Sequence, residues 1–595
     1  MLNTDFSYDL TEGTLSRYIV EGDGYSRDIC YSYDGFGRTS SVTRSLTEFD
    51  GTGSIGQNIA YGYIQTSDPD DGTITYNRIG SVTNEYTVTV DDETTTVASE
   101  TFTYTYDASG NITEIKNNGS TLFRYHYDLL DQLTREDNAQ SGRTYVYEYD
   151  NAGNIKSKKT YGYTTSATVS TTLYSTQTYG YGSGISGDIL TSLNGSSITY
   201  DGTLSPLNYV LSGDDCALTW TQGRRLSHII SDDGSREYSY TYNADWIRTS
   251  KTVNGVEHIY HLSGTRILDE EWVSGSTRNL LIYIYDASGQ PIGINYLKCV
   301  GNTVTKEAYL LGTNIQGDIT CIYDTAGNRV VTYTYDAWGK ILSVTGTAAN
   351  TIGRYNPLRY RGYYYDNETG FYYLNSRYYD PNVGRFLNAD GYINANGDLI
   401  GFNMFAYCGN NPVNASDPLG RWYIKDGIKW LTKNVMKPVT DSVQKAMGKL
   451  GNATHSAGVA VSAAFGGGIS GTIGLATDNQ GNVGFVASWS ILAASPNASV
   501  SVYRSFTNAP SIKNLEGISV VAGGSVDVYG VSIGGEFTSF ADTDTNDIYV
   551  GGAVSAGVGA PIPIEVHGGV NNARVGGMFN VFDVLNKLYN RISAW

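Results

Sequence analysis

Tyrosine and aliphatic residues alternate with polar residues in short runs through the first part of the chain, and one unit ends many of these runs. The unit has the form Y-x-Y-D-x-x-G-[NRKQ]. It occurs at residues 31–38, 104–111, 147–154, 283–290 and 333–340, and a degenerate copy, YHYDLLDQ, occupies residues 125–132. The copies that start at residues 104, 125 and 147 are spaced by 21 and 22 residues, a period that indicates a repeat array.

Each unit predicts a β-hairpin. Side chains alternate between the two faces of a strand, so the two tyrosines share one face. The aspartate ends the strand by accepting hydrogen bonds from the following backbone N–H groups, and the glycine supplies the positive φ that the reversal requires. Because one hairpin is not stable alone, successive hairpins are expected to pair into one continuous antiparallel sheet. The predicted turns are Asp34–Gly37, Asp107–Gly110, Asp150–Gly153, Asp286–Gly289 and Asp336–Gly339.

After Gly420 the pattern changes to runs of Val, Ala, Ser and Gly with few tyrosines. Residues 421–450 place apolar residues at three- to four-residue steps with lysines between them, which predicts an amphipathic helix interrupted at Pro438. Residues 457–575 contain glycine-bounded runs such as GVAVSAAF and GSVDVYGVSI, and they predict an antiparallel meander or a small barrel. Residues 579–592 predict a C-terminal helix with one apolar face.

The composition supports an all-β fold and excludes some classes of binding partner. The 595 residues include 50 tyrosines and 70 glycines against 16 phenylalanines, and tyrosine suits a half-buried pleated surface. The formal net charge of −19 argues against a general binder of nucleic acid or of anionic membranes, because phosphate binding requires surplus Lys and Arg. The five cysteines are scattered, which favours buried free thiols over a disulfide framework or a zinc site. We expect no metal and no cofactor.

Residues 354–420 read RYNPLRYRGYYYDNETGFYYLNSRYYDPNVGRFLNADGYINANGDLIGFNMFAYCGNNPVNASDPLG. This stretch resembles the Rhs repeat-associated core over its whole length. The module is also found in the C components of insecticidal toxin complexes and, more distantly, in teneurins. The resemblance implies an all-β fold in which a sheet of YD repeats spirals into a complete or partial shell. It divides the chain into YD repeats at 1–346, the core at 347–420, a helical linker at 421–450 and a variable, glycine-rich tip domain at 451–595.

The resemblance also implies a self-cleavage site at the end of the core. Cleaving members of the family carry two aspartates that act as an aspartic-protease pair, and Asp390 and Asp417 match them. Two carboxylates held together share a proton, so that one acts as the acid while the other activates water. Arg385 matches a family arginine and is expected to hold one carboxylate ionised. The expected scissile bond is Arg421–Trp422.

The match to the family motif has two departures. Asp390 is followed by Gly391 rather than proline, and the last motif ends in Gly420-Arg421 rather than Gly-Leu. The alternative is that the core only plugs the shell and that Asp417-Pro418 is an ordinary turn.

The tip domain offers little catalytic chemistry. Its histidines are His455 and His567, it has no cysteine, and no arrangement typical of a nuclease or a hydrolase is present. Strands that alternate small apolar residues with Gly or Ser fit a small barrel that meets lipid, and an ordinary soluble β-sandwich is the competing interpretation.

These features predict a shell protein that encapsulates or presents a C-terminal effector domain in competition or contact between cells. Its expected partners are its own C-terminal domain, an immunity protein, and a target-cell membrane or surface glycan. We expect a secreted or cell-surface protein. Because the opening, MLNTDFSYDL, has no signal peptide, we expect the chain to be the C-terminal part of a longer product or to be exported by a signal-independent route. The alternative is a non-toxic adhesion or carbohydrate-contact protein that binds through its tyrosine-rich sheet.

Overall fold

The fold is seen in a computed structural model that describes residues 3–8, 15–22, 25–48, 54–68, 72–184, 187–222, 224–391, 400–421, 424–425, 454–464, 468–478, 482–494, 497–507, 517–528, 531–541, 548–559 and 564–580. The chain divides into two compact units. The first comprises residues 1–395 and 399–427, and the second comprises residues 396–398 and 428–595.

Two long antiparallel sheets form most of the first unit, and in each the spatial order of the strands follows the chain. This order is the one that successive hairpins produce, which confirms the all-β repeat fold. The strands of the 15-stranded sheet are β1 Asn3–Tyr8, β2 Leu15–Gly22, β3 Tyr25–Tyr33, β4 Thr39–Glu48, β5 Ser54–Asp68, β6 Gly72–Val90, β7 Glu93–Tyr106, β8 Ile112–Asn117, β9 Ser120–Tyr127, β10 Leu133–Asn138, β11 Arg143–Tyr149, β12 Ile155–Gly162, β13 Leu173–Tyr181, β14 Leu190–Leu193 and β15 Ser196–Ser197. Those of the 13-stranded sheet are β16 Asn208–Leu211, β17 Asp214–Thr221, β18 Arg225–Ser231, β19 Glu237–Tyr242, β20 Arg248–Val253, β21 Val256–Ser263, β22 Arg266–Ser274, β23 Thr277–Tyr285, β24 Pro291–Val300, β25 Thr303–Thr313, β26 Ile319–Tyr323, β27 Arg329–Tyr335 and β28 Ile341–Thr345.

The two sheets are separated at residues 198–207, where the hydrogen-bond ladder is interrupted. Pro206 has no N–H to donate to a ladder, and it forms an isolated bridge with Tyr200. The side-chain amide of Asn208 reaches the neighbouring segment: Oδ1 accepts from the N–H of Thr199 at 2.8 Å, and Nδ2 donates to the carbonyl of Ser197 at 2.7 Å. A side chain thus replaces ladder hydrogen bonds here, and the prediction of one continuous sheet is wrong at this point.

The five predicted turns are confirmed. In each, the glycine N–H donates to the aspartate carbonyl at 2.9–3.1 Å, and the glycine has a positive φ. In the turn at Asp150, Oδ1 accepts from the N–H groups of Ala152 and Asn154 at 2.9 Å, and Oδ2 accepts from the Asn154 side chain at 3.0 Å. The last position of the repeat unit therefore supplies a side-chain donor that closes the turn. Its equivalents make the same bond in other repeats: Arg38, Asn111 and Gln132.

The second tyrosine of the unit links each hairpin to the strand before it. The Tyr149 hydroxyl donates to the Leu133 carbonyl at 2.6 Å, beyond the point where the β10–β11 ladder ends at Arg135 and Val146. A phenol therefore satisfies a carbonyl that the ladder leaves behind. The same bond, at 2.6–2.8 Å, is made by Tyr33, Tyr106, Tyr127, Tyr242, Tyr285 and Tyr335.

The core module contains only short elements and packs on the repeats. Asn411 Nδ2 donates to Asn111 Oδ1 at 2.8 Å, and Asn410 Nδ2 donates to the Gly153 carbonyl at 2.6 Å, so the module binds two turns of the 15-stranded sheet. Its elements are α1 Ile352–Tyr355, the 3-10 turns Tyr360–Gly362, Ile400–Phe402 and Cys408–Asn410, a sheet of β29 Tyr364–Asp366, β30 Phe371–Leu374, β31 Arg377–Asp380 and β32 Arg385–Phe386, and the pair β33 Ala415–Ser416 and β34 Ile424–Lys425.

A buried ion pair joins the core module to the 13-stranded sheet. Arg248 Nη1 and Nη2 donate to the two oxygens of Asp366 at 2.7 and 3.0 Å, and both side chains are fully buried. The Arg248 guanidinium also lies 4.3 Å from the ring centroid of Tyr373 and 4.9 Å from that of Tyr364. Since an isolated buried charge is costly, this bidentate pair requires the module to be in place.

The second unit is a closed antiparallel barrel of eight strands in the order β35-β36-β37-β42-β39-β40-β41-β38. Closure leaves no edge strand. The strands are β35 Thr454–Ala464, β36 Gly468–Asp478, β37 Asn482–Ala494, β38 Asn497–Thr507, β39 Gly517–Val528, β40 Val531–Ala541, β41 Ile548–Gly559 and β42 Ile564–Asn580. Of the two predicted arrangements, a meander and a barrel, the structure shows the barrel.

Two predicted helices lie wholly or mostly outside the described residues. For the linker at 421–450, the structure describes Arg421 and β34. For the helix predicted at 579–592, it describes Phe579 and Asn580, which belong to β42 instead. Among the described residues, no helix is long and apolar enough to cross a membrane. The five cysteines are free; Cys216, Cys321 and Cys408 are buried, whereas Cys30 is exposed.

Candidate self-cleavage site

The core module ends in a hairpin. Ala415 pairs with Lys425 and Ser416 pairs with Ile424, and the Asp417 carbonyl accepts from the Gly420 N–H at 3.4 Å in the turn between them. Gly420 has φ +65°, and a Cβ on it would lie 2.6 Å from the Leu374 carbonyl oxygen. Only glycine fits this turn without displacing the neighbouring strand.

The two predicted aspartates meet at one arginine. Arg377 Nη2 lies 2.9 Å from Asp390 Oδ2 and 3.1 Å from Asp417 Oδ2, so these two oxygens are at most about 6 Å apart. The side chains of Arg377, Asp390 and Asp417 are 5%, 10% and 2% exposed. A pair of carboxylates with one guanidinium is therefore enclosed in the core, beside the turn at Gly420.

The arginine at this site is Arg377 and not Arg385. Arg385 donates to Asn154 Oδ1 at 3.0 Å, to the Tyr181 hydroxyl at 3.2 Å and to the Asp188 carbonyl at 2.6 Å. It therefore binds the core to the 15-stranded sheet. Strand β31 separates the two arginines, because Arg377 begins it and Arg385 follows the turn at its far end. The arginine that pairs with the two aspartates is therefore Arg377, and the prediction that Arg385 pairs with one of them is not met.

Both the carbonyl oxygen and the N–H of the Gly420–Arg421 peptide form hydrogen bonds with side chains. Its carbonyl oxygen accepts from Arg377 Nε at 2.5 Å and from the Ser376 hydroxyl. Its N–H, on Arg421, donates to Asp417 Oδ1 at 3.0 Å. Ser376 Oγ also lies 2.7 Å from the Leu419 carbonyl oxygen. The expected scissile bond, Arg421–Trp422, is one peptide further on, and Trp422 lies outside the described residues.

Burial dominates the electrostatics around this cluster. Burial lowers the pKa of the Arg377 guanidinium, although Asp390 and Asp417 act in the opposite direction. Burial also raises the pKa of the Cys408 thiol well above its ordinary value, and the charge of Asp417 adds to that rise. The Asp417 N–H donates to the Tyr363 hydroxyl at 2.7 Å. The cluster has little contact with solvent, so its charges act on one another with weak screening.

Two residues of the site were missed in the sequence, Ser376 and Arg377. They stand in the run NSRYYD, where a cation inside an aromatic strand was the available signal, since buried arginines are normally paired. His455 and His567 lie on β35 and β42, which β36 and β37 separate in the barrel. Within the described part of the chain, no group of three or more His, Cys, Asp or Glu residues could hold a metal ion.

The hairpin sheets and the core module packed on them define a YD-repeat shell protein of the Rhs type. The family model of the teneurin YD-shell matches residues 41–413. The chain belongs to this family.

Several characterised proteins are similar to parts of the chain. The tRNA nuclease WapA of Bacillus subtilis strain 168 is 33% identical over 269 residues, which are 41% of this chain and 10% of that protein. The double-stranded DNA deaminase toxin A of Burkholderia cenocepacia strain H111 is 43% identical over 101 residues, 17% of this chain and 6% of that protein. The chain thus spans about a tenth or less of the length of these relatives.

A solved structure supports the fold. The Photorhabdus luminescens Tc holotoxin pore, with a TccC3 D651A mutation, matches with a TM-score of 0.50 and 19% identity over 70% of this chain and 20% of that one. At this identity the likeness is evidence of the fold alone.

Proposed function

We propose that this chain is a shell protein that cleaves itself at the end of its core and so separates its C-terminal unit from the shell. The observation that carries this proposal is the meeting of Asp390 and Asp417 on Arg377, beside the peptide bond at which the core ends. A purely structural turn requires neither a second buried aspartate nor a shared guanidinium.

The proposed chemistry follows from the charges of this cluster. Two carboxylates against one guanidinium leave one negative charge in excess, and a single bound proton neutralises it. The protonated carboxyl is then available as an acid and the other as a base for water. Arg377 holds both carboxyl groups in place.

The biological setting is proposed from the relatives. Two of the relatives that match part of this chain are named as a tRNA nuclease and a DNA deaminase toxin. We propose that the C-terminal unit is an effector that the shell encloses or presents, that the protein works outside the producing cell or at its surface, and that an immunity protein protects the producer. The alternative is a non-toxic adhesion protein that contacts glycans through its tyrosine-rich sheet.

We further propose that the C-terminal unit acts on membranes. The supporting observation is that its eight strands close into a barrel and are 11–17 residues long. Strands of about 9–11 residues suffice to cross a bilayer, and an even strand number is typical of bacterial membrane barrels.

Mass spectrometry of the purified chain tests the proposed self-cleavage. We expect two fragments that meet at residues 420–422, and full-length protein for Asp417→Asn and for Asp390→Asn. Asp380→Asn is the matched control, because Asp380 is also a buried core aspartate but it accepts from the Tyr209 hydroxyl, at 2.9 Å. Wild-type chain that remains intact after prolonged incubation would show that the core only plugs the shell.

A further inference from the structure

We propose that the bond that is cut is Gly420–Arg421, and that Ser376 and Arg377 together form the site that stabilises the oxyanion of this reaction. The inference rests on the proposed self-cleavage and assigns its substrate bond and a further catalytic residue, Ser376. It places the cut one residue before the position that the family resemblance implies.

The carbonyl side of the bond is already held by hydrogen-bond donors. The Gly420 oxygen is approached by two donors of different kinds, the Ser376 hydroxyl and Arg377 Nε at 2.5 Å. In peptide hydrolysis this oxygen becomes negatively charged. Donors that already point at it lower the free-energy barrier, because they need not move when the charge develops.

The nitrogen side of the bond is also hydrogen-bonded. The Arg421 N–H donates to Asp417 Oδ1 at 3.0 Å, so a carboxyl oxygen already lies beside the atom that must be protonated when the bond breaks. Asp417 reaches Arg377 through its other oxygen, Oδ2, at 3.1 Å. Arg377 in turn contacts Asp390 through Nη2 and Gly420 through Nε. One arginine thus aligns the acid, the base and the carbonyl.

The reaction balances with one water molecule. Water adds its oxygen to the Gly420 carbonyl carbon while Asp390 takes its proton, and the carbonyl oxygen becomes an oxyanion bound by Ser376 and Arg377. The bond to the Arg421 nitrogen then breaks, and that nitrogen takes the proton held by Asp417. The products are a carboxyl group on Gly420 and an α-amine on Arg421. No oxidant, metal or other reactant is needed.

The same contacts also describe an Asx turn, in which Asp417 caps the N–H of Arg421 and Ser376 binds the loop. The two interpretations differ in what Ser376 does. If it only holds the loop, its removal changes stability and leaves the rate of cleavage nearly unchanged. If it stabilises the oxyanion, its removal slows cleavage in a folded protein.

The test follows the whole chain in cell-free synthesis, with the fraction cleaved measured over time and the new N-terminus identified by mass spectrometry. We expect a fragment that begins at Arg421. Ser376→Ala should slow cleavage by about 10²-fold, the loss typical of one oxyanion donor, and Ser376→Thr should restore most of the rate. Asn375→Gly is the control, because Asn375 Nδ2 donates to the Pro418 carbonyl at 3.3 Å in the same loop but does not contact the scissile carbonyl.

The outcomes separate the two levels of the proposal. A fragment that begins at Trp422 would overturn the bond assignment and leave self-cleavage standing. A Ser376→Ala chain that cleaves at the wild-type rate, with an unchanged melting temperature, would overturn the role of Ser376. A wild-type chain that does not cleave at all would overturn the proposed function itself.

Discussion

The tyrosine–carbonyl bond between neighbouring strands makes a quantitative prediction, because each repeat contains its own control. Tyr149 donates to the Leu133 carbonyl at 2.6 Å, and Leu133 is fully buried. Tyr147, two residues earlier, is 3% exposed, and its hydroxyl has no hydrogen-bond partner among the described residues. Phenylalanine at either position keeps the ring and removes only the hydroxyl.

Only one of the two substitutions should destabilise the protein. Tyr149→Phe removes a hydrogen bond and leaves a buried carbonyl unpaired, which costs about 1–3 kcal/mol. Tyr147→Phe removes a hydroxyl that is buried without a partner, so it should be neutral or stabilising by up to about 1 kcal/mol. We therefore expect the variants to differ by at least about 1 kcal/mol in the free energy of local opening.

Hydrogen exchange at the turn that begins at Asp150 measures this difference without requiring the whole shell to unfold reversibly. Both substitutions are made in the Asp417→Asn chain, so that cleavage does not complicate the comparison. Each 1.4 kcal/mol corresponds to about a tenfold change in the exchange rate. Tyr242→Phe and Tyr240→Phe repeat the test, because Tyr242 donates to the Leu226 carbonyl at 2.7 Å and the Tyr240 hydroxyl is also unpartnered among the described residues. Equal exchange in the two members of both pairs would refute the reasoning.

Two further predictions concern acid stability and the barrel. Burial alone would raise the pKa of Glu270, but hydrogen bonds from His258 and Tyr364 and the charge of Lys251 lower it to about 2. A lowered pKa stabilises the fold above the ordinary value near 4.5 and the effect is lost as the pH falls from there toward 2, so Glu270→Gln should cost about 3 kcal/mol at pH 7 and close to nothing at pH 2 in denaturation measurements. The whole chain after cleavage should release dye from liposomes, and the uncleaved Asp417→Asn chain should not; sealed liposomes in both cases would contradict the membrane proposal.

The local geometry of the repeats followed from the sequence because it depends on a few adjacent residues. The aspartate and glycine of each unit determine the turn by short-range hydrogen bonding and backbone freedom, so the five turns were predicted at the correct positions. The role of Asn154 in closing its turn was missed, although the unit already showed donors at that position. The break between the sheets depends on Pro206 and Asn208, whose effect requires knowledge of which strands are adjacent.

The candidate site was predicted only in part because its residues are distant in the chain. Asp390 and Asp417 were chosen by motif, and the structure brings them together on one guanidinium. Arg377 and Arg385 are both arginines in the same tyrosine-rich region, and nothing in their spacing tells which one faces the aspartates. That choice depends on the turn after β31, which directs Arg385 to Asn154 and Tyr181.

Because β33 pairs with β34, cleavage of the chain and release of its C-terminal fragment would be separate events. The proposed cut lies inside the hairpin, yet Ile424 and Lys425 remain zipped to Ser416 and Ala415 on the other side of it. The two fragments of a cleaved molecule would therefore stay associated, held by the pairing of two residues on each strand. Two residue pairs resist little force. If the proposed cleavage occurs, it would therefore not by itself release the C-terminal piece, and a small pulling force would then be enough to separate it.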